Sequence, residues 1–185
     1  MDSELIQMIF PIFTAGIVFI VLLKTVLHDK LNYPLDFGIK LRGKRLFGDN
    51  KTIRGLIFMP LLTMIFGGFI YFLLKGFVNQ KISTINAVAY YFFVGLAYSL
   101  GELPNSFIKR QLSISPGNSH RNNSVKNIFK IIDTFDSLII VGIVYILLFN
   151  FSIINVLLAI AIGGILHLCT DQLMIKLNLK KKIND

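Results

Sequence analysis

The sequence is poor in the residues that build disulfide and zinc sites. Its 185 residues include a single cysteine, Cys169, and three histidines. One cysteine cannot form an internal disulfide, and we expect Cys169 to be a small buried apolar residue. No CxxC pair and no Cys/His cluster at zinc spacing is present, and there are no low-complexity tracts or convincing internal repeats. Disulfide-rich, zinc-dependent and repeat architectures are therefore excluded.

Acidic residues are also scarce. The chain holds 10 Asp and Glu against 19 Lys and Arg, which gives a formal net charge of +9. Such an excess is common in nucleic-acid-binding proteins, but no nucleic-acid motif accompanies it, and we predict no nucleic-acid partner. Attraction to anionic lipid headgroups accounts for the positive charge as well.

Apolar residues are abundant, and they occur in blocks. The sequence is 54% hydrophobic, with a mean hydropathy of +0.68. A helix of about 20 residues crosses the roughly 30 Å hydrocarbon core and satisfies its own backbone hydrogen bonds there. We predict an all-α integral membrane protein with about five transmembrane helices, in a single domain over residues 1–185. The five blocks are residues 5–27, 56–77, 85–100, 131–149 and 153–168.

The basic residues predict the orientation of these spans. Seventeen of the 19 Lys and Arg fall on one side of the predicted membrane, and only Lys75 and Lys81 fall on the other. Because basic loops stay in the cytoplasm, the N-terminus is predicted outside and both long loops inside. We therefore expect a multi-pass protein of the cell (plasma) membrane whose cytoplasmic loops form the active site.

The loop before the second block has the features of a phosphate-binding segment. Apolar and basic residues alternate around Gly43, which predicts a short hairpin. Glycines let the backbone approach a ligand, and a helix N-terminus offers amide groups to an anion. The alternative is a solvated basic loop that only sets the membrane topology. The predicted nucleotide-binding residues of this loop are Gly48, Asp49, Lys51, Thr52 (also a predicted helix N-cap) and Arg54.

The segment after the third block supplies a second polar face. A second helical segment is predicted to begin near Pro104, since proline is tolerated in a first helical turn. Ser106, Lys109 and Arg110 are three and four residues apart, so they share one face of that helix. Glu102 would join this face if the helix continues through it. The alternative is an amphipathic helix that lies at the membrane interface.

A polar stretch and two aspartates follow. Residues 113–127 are predicted to form a flexible loop that could close over a substrate, with His120 as a solvated side chain. Asp133 and Asp136 are predicted to open the fourth span, on one face of it. Ionisable groups at membrane depth are usually functional, and Mg²⁺ prefers carboxylate oxygens together with substrate phosphates. The alternative is that the two acids stabilise a helix N-terminus.

These motifs resemble those of the CDP-archaeol synthase family, which is related to the phosphatidate cytidylyltransferases. The resemblance implies that CTP reacts with a membrane lipid phosphate, archaeol-phosphate-like or phosphatidic-acid-like, to give a CDP-lipid and pyrophosphate. The segments that carry it are Gly43-x-Arg45-x-Phe47-Gly48-Asp49-x-Lys51-Thr52-x-Arg54-Gly55, Gly101-Glu102-x-x-x-Ser106-Phe107-x-Lys109-Arg110 and Asp133-x-x-Asp136.

The resemblance also implies roles for individual residues. Lys109, Arg110, Asp133 and Asp136 are the expected catalytic residues, and the two aspartates are the expected Mg²⁺ ligands. Ser106 joins the first-loop residues in the expected nucleotide site.

Two other functions compete with this hypothesis. A CDP-alcohol phosphotransferase needs a longer set of clustered aspartates, which we do not find. A transporter or non-catalytic scaffold is a further alternative, but a transporter should show inverted repeats or helices broken in mid-membrane. The glycine pairs at 67–68 and 163–164 instead predict close helix packing. A bundle of this size is also compatible with a homodimer.

Overall fold

Five long helices make up most of the protein. The structure, a computed structural model, describes residues 3–25, 31–74, 82–116 and 122–177. Within these ranges, five helices are long and apolar enough to cross a membrane, which confirms the predicted fold class. They are α1 (Ser3–Lys24), α2 (Ile53–Leu74), α3 (Thr84–Gln111), α4 (Asn123–Val144), which continues into a π-helical turn (Tyr145–Phe149), and α5 (Ile153–Lys176).

Helices that follow one another in the chain pack together, and α1 also packs against α5. The glycine pairs lie at these contacts, as predicted. A Cβ on Gly67 would come within 2.1 Å of the Tyr91 ring, and one on Gly164 within 2.7 Å of the Phe135 ring. α5 contributes few buried residues because it packs only against one side of the bundle. Cys169 on α5 is exposed for that reason, and the prediction that it is buried was wrong.

α1 is tied to the later helices by polar contacts along its length. The Tyr91 hydroxyl donates to the Gln7 carbonyl oxygen, and the Tyr145 hydroxyl donates to the Met8 carbonyl oxygen. At one end of α1, the Glu4 carboxylate accepts from Asn155 Nδ2 at 2.8 Å. At the other end, Lys24 Nζ donates to the Leu177 carbonyl oxygen at 3.3 Å.

Of the differences from the predicted helix boundaries, two bear on the site. α3 runs without a break through Pro104 to Gln111, so no separate helix begins at that proline. α4 begins at Asn123 because the Asn122 side chain caps it by accepting from the Ser124 amide. The polar residues from 123 onward are therefore helical and not part of a flexible loop. Residues 117–121 of the predicted loop, with His120, lie outside the described residues.

The loop between α1 and α2 contains the predicted hairpin. Strands β1 (Lys40–Leu41) and β2 (Lys44–Arg45) pair in antiparallel register. Arg42 and Gly43 connect them with φ of 53° and 80°, which is the geometry of a tight hairpin turn. The hairpin lies at the end of the bundle where α2 begins and α3 ends, so the two predicted polar segments meet there.

Candidate active site

Asp36 organises the first loop. It is almost fully buried, and its carboxylate accepts hydrogen bonds from Arg45 Nε and Nη2 and from the amides of Gly38, Phe47 and Gly48. The Arg45 guanidinium, together with these amides, holds the pKa of Asp36 well below its ordinary value, although burial opposes the shift. The same contact raises the pKa of Arg45. Asp36 is therefore a carboxylate fixed in its charged form.

The folded loop is fastened to the end of α3. Arg110 Nε donates to the Phe47 carbonyl oxygen at 3.0 Å, and its Nη1 donates to the Ile114 carbonyl oxygen. A Cβ on Gly48 would lie 2.8 Å from Arg110 Nε, so only glycine allows this approach, and its φ of 84° also favours glycine. Lys51 of the loop pairs with Glu102 of α3. The two polar segments thus form one site.

On the other side of α3, two aspartates of α4 converge on one amide. Asn105 Nδ2 donates to Asp133 Oδ1 at 2.6 Å and to Asp136 Oδ2 at 3.0 Å. Lys109 Nζ lies 2.5 Å from both carboxylate oxygens of Asp133. α3 and α4 approach this closely because Gly101 faces the Ser137 backbone, where a Cβ would come within 2.8 Å of Cα.

A cavity of about 1490 Å³ connects these groups with the interior of the bundle. Its polar end contains cations and carboxylates from both segments, including Lys51, Lys109 and Asp133. Its remaining wall is largely apolar and is formed by α1, α4 and α5, with residues such as Phe13 and Ile160. One continuous space therefore has charged groups at one end and an apolar wall along the rest of its length.

Comparison with known proteins identifies the family. The family model described as CarS-like CDP-archaeol synthase matches residues 4–183. CDP-archaeol synthases of Pyrobaculum aerophilum and Pyrobaculum islandicum are 29% and 31% identical to the chain over 154 residues, which is 83% of this chain and 83% of each relative. The chain belongs to the CDP-archaeol synthase family.

A solved structure supports the same fold. It is described as an intramembrane enzyme for archaeal membrane lipid biosynthesis. It matches 85% of this chain and 90% of its own length, with a TM-score of 0.54 and 23% sequence identity.

Membership of the CDP-archaeol synthase family decides between the functions considered above. The protein is a membrane-embedded enzyme, a CTP-dependent cytidylyltransferase that converts a lipid phosphate into a CDP-lipid. The CDP-alcohol phosphotransferase and the transporter or scaffold are therefore set aside. That the protein has no nucleic-acid partner stays a prediction, and so does the homodimer.

The structure brings nine of the ten predicted site residues to the wall of the cavity. The exception is Gly48, whose amide donates to Asp36 and whose role is to admit Arg110. Asp133 and Asp136 lie in the third and fourth turns of α4, so they are too far from its first turn to stabilise the helix N-terminus. The residues lining the cavity are Asp49, Lys51, Thr52, Arg54, Ser106, Lys109, Arg110, Asp133 and Asp136.

Sequence reasoning did not single out Asp36 or Asn105. Asn105 is three residues after Glu102 and four before Lys109, so helical spacing alone places it between the two. Its neighbour Ser106 was predicted from its helical spacing to Lys109 and Arg110 and from the family motif. Asp36 had a weaker signal, an acid between two apolar residues and before Gly38, because four of its five hydrogen bonds come from residues nine to twelve positions later.

The paired aspartates fit a divalent metal ion, and membership of a cytidylyltransferase family suggests a requirement for one. The described residues contain no group of three or more His, Cys, Asp or Glu that could enclose a metal. Mg²⁺ does not need such an enclosure, because it commonly binds to one or two carboxylates and completes its shell with water and substrate phosphates. The Lys109 ammonium contacts Asp133, and the neutral Asn105 amide donates to both carboxylates.

Proposed function

We propose that the protein transfers the cytidylyl group of CTP to an archaeol-phosphate-like isoprenoid ether lipid, with Mg²⁺ as the metal ion, at the cytoplasmic face of the plasma membrane. The observation that supports this most directly is the continuous cavity, which joins a charged end to an apolar wall between membrane-spanning helices. A triphosphate and a lipid phosphate can meet at the charged end while the lipid chains remain among the helices.

The chemistry follows from the charges. An oxygen of the lipid phosphate attacks the α-phosphorus of CTP, the bond to the bridging oxygen breaks, and pyrophosphate leaves. Because a phosphate is already ionised at neutral pH, the protein needs no general base. Its work is to hold two mutually repelling anions in line and to neutralise them.

Individual residues have separate tasks in this proposal. Lys51 at the end of the first loop and Arg54 in the first turn of α2 bind the triphosphate. Lys109 leaves Asp133 and binds a phosphate oxygen when substrate enters. Asp133 and Asp136 would hold Mg²⁺, which would supply positive charge to offset that of the phosphates. Arg110 adds positive charge to the same end of the cavity while its hydrogen bonds to Phe47 and Ile114 keep the first loop in place.

A substrate panel tests the proposal. Purified protein in detergent with Mg²⁺ and labelled CTP is given isoprenoid ether and diacyl lipid phosphates, and mass spectrometry detects the product. We expect CDP-lipid from the ether lipid and an equal amount of pyrophosphate. Formation of product only from the diacyl lipid would contradict the proposed substrate class, and no product from any lipid would contradict the reaction.

The same assay tests the metal-binding aspartates. Asp133→Asn should lower turnover by about 100-fold or more, because a ligand carboxylate is lost at the reacting phosphates. Glu4→Gln is the matched control. It neutralises a carboxylate at the N-terminal end of α1, at the end of the bundle away from the site, and should retain near wild-type turnover. Activity of Asp133→Asn close to that of Glu4→Gln would contradict the assignment.

A further inference from the structure

In the side-chain amide of Asn105, the nitrogen has hydrogen-bond partners among the described residues and the oxygen has none. Asn105 is 5% exposed, and its Nδ2 donates to both Asp133 and Asp136. Its Oδ1 is buried and has no hydrogen-bond partner among the residues that the structure describes. Leaving a buried acceptor unpaired costs on the order of 1–3 kcal/mol, so an orphaned oxygen beside two carboxylates calls for an explanation.

A rotation of the side-chain amide by half a turn exchanges its oxygen and nitrogen with almost no movement of other atoms. After that rotation, Oδ1 would occupy the present position of Nδ2, 2.6 Å from Asp133 Oδ1 and 3.0 Å from Asp136 Oδ2. Neighbouring oxygens around an octahedral Mg²⁺ are about 2.9 Å apart, since each lies about 2.1 Å from the ion. The Asn105 oxygen would thus lie from each carboxylate oxygen at about the spacing of neighbouring ligands in a magnesium shell, and without a cation it would be repelled by both.

We propose that Asn105 is a third protein ligand of the divalent cation, an inference that rests on the metal site of the proposed function. Without the metal, the Asn105 amide donates to the two carboxylates and holds them in place. When the metal binds, the amide turns and contributes Oδ1. Because this ligand is neutral, the protein supplies two negative charges to a doubly charged ion.

The contacts of Lys109 support this switch. In the metal-free arrangement Lys109 neutralises Asp133, and Asn105 supplies hydrogen-bond donors to both aspartates. A bound divalent cation would take over both tasks, because it would neutralise Asp133 and hold the two carboxylates in place. Lys109 then becomes free to bind phosphate in the same cavity, so metal binding prepares the site for substrate.

Metal titration tests the inference without relying on catalysis. Mn²⁺, an oxygen-binding substitute for Mg²⁺ that is visible by electron paramagnetic resonance, is titrated into the full chain in detergent without nucleotide. Asn105→Ala should weaken Mn²⁺ binding by about 10- to 100-fold. Asn105→Asp, which keeps an oxygen in nearly the same shape, should bind Mn²⁺ at least as tightly as wild type. Asn86→Ala, in the first turn of the same helix, is the matched control and should be unchanged.

Two outcomes would overturn the inference. One is Mn²⁺ binding by Asn105→Ala within twofold of wild type, which would make Asn105 a structural donor only. The other is a loss in Asn105→Asp as large as in Asn105→Ala, which would show that the donor and not the oxygen matters. Asn105→Asp keeps the test valid if Asn105→Ala fails to fold.

The substrate panel separates this inference from the function it rests on. If the wild type makes CDP-lipid but Asn105→Ala binds Mn²⁺ normally, the inference fails and the reaction stands. If the wild type makes no CDP-lipid, the function fails whatever the titration shows. No Mn²⁺ binding by the wild type at millimolar concentration would overturn the two-aspartate metal site and the role of Asn105 together.

Discussion

Asp36 shows how one charged side chain can shape a loop that has almost no regular structure. Five donors converge on its carboxylate, two from Arg45 and three from backbone amides. A neutral asparagine at this position could accept fewer of these hydrogen bonds and would leave Arg45 with only the exposed Asp49 as a charged partner. The loop carries Lys51 and leads directly into Arg54 at the start of α2, so the shape that Asp36 imposes also affects the position of the proposed triphosphate ligands.

Replacing Asp36 should therefore loosen the first loop. In Asp36→Asn we expect hydrogen exchange of the amides of Phe47 and Gly48 to accelerate by about tenfold or more, because a buried charge-assisted network is lost. Exchange in α3 should not change. Asp49→Asn is the control, since the Asp49 side chain is 75% exposed and contacts Arg45 at 3.1 Å from outside the network. Equal exchange in the two variants would contradict the role of Asp36.

The pH dependence of the wild-type loop follows from the same contact. The folded-state pKa of Asp36 lies below its ordinary value of 3.8, so its stabilising effect is complete above that value. The effect is lost as the pH falls through the lower, folded-state pKa. We therefore expect exchange protection of the loop, after correction for intrinsic rates, to be constant from pH 8 to pH 5 and to decline only below about pH 4. A decline near neutral pH would contradict this account.

At the scale of the helices, the contact between α3 and α4 positions the candidate metal site. Gly101 is one turn before Asn105, and Ser137 directly follows Asp136. With no side chain at Gly101, the two helix backbones approach closely enough for one amide to reach two carboxylates. The distance between these helices therefore affects the candidate metal site as well as the packing of the bundle.

Gly101→Ala should separate the two helices and disturb the site. The added Cβ meets the Ser137 backbone, which cannot move away as a flexible side chain would, so we expect overpacking that costs about 1–3 kcal/mol. The melting temperature should fall, and Mn²⁺ binding should weaken. Gly16→Ala in α1 is the matched control, because nothing lies within 4 Å of its added Cβ. A normal melting temperature in Gly101→Ala would show that the contact is looser than it appears in the structure.

The helices also show what the sequence could and could not predict. Hydropathy located all five spans, because a membrane imposes the same length and apolar character on each. It placed the start of α4 at residue 131, eight residues too late, since residues 123–130 are polar enough to resemble a loop, and only the cap at Asn122 shows that they are helical. The spacing of Ser106, Lys109 and Arg110 placed them near one another, and all three line the cavity, whereas the meeting of Asn105 with α4 depends on tertiary packing.

At the scale of the whole molecule, the polar groups of both segments lie at one end of the bundle. The contact between Lys51 and Glu102 places the first loop against α3, and the contact between Lys109 and Asp133 places α3 against α4. The fold thus requires that both segments face the same compartment. The distribution of Lys and Arg predicts that this compartment is the cytoplasm.

Accessibility labelling tests this orientation. In a Cys169→Ser background, we introduce Lys40→Cys in the hairpin or Ser83→Cys at the start of α3 and treat intact cells with a membrane-impermeant maleimide. The cysteine at position 83 should react from outside, and the cysteine at position 40 should react only after permeabilisation. The reverse pattern would place the site outside the cell, away from its supply of CTP, and would contradict the proposed location.

The polar contacts between α1 and the later helices affect the order in which the bundle assembles. α1 is the first of the five helices to leave the ribosome, yet its carbonyl oxygens accept from Tyr91 and Tyr145, and its ends contact Asn155 and Leu177. Contacts between such distant parts of the chain must wait for the later helices to be inserted. During translation α1 therefore lies in the bilayer with an incomplete set of neighbours, and closure of the bundle becomes one of the last steps of biogenesis.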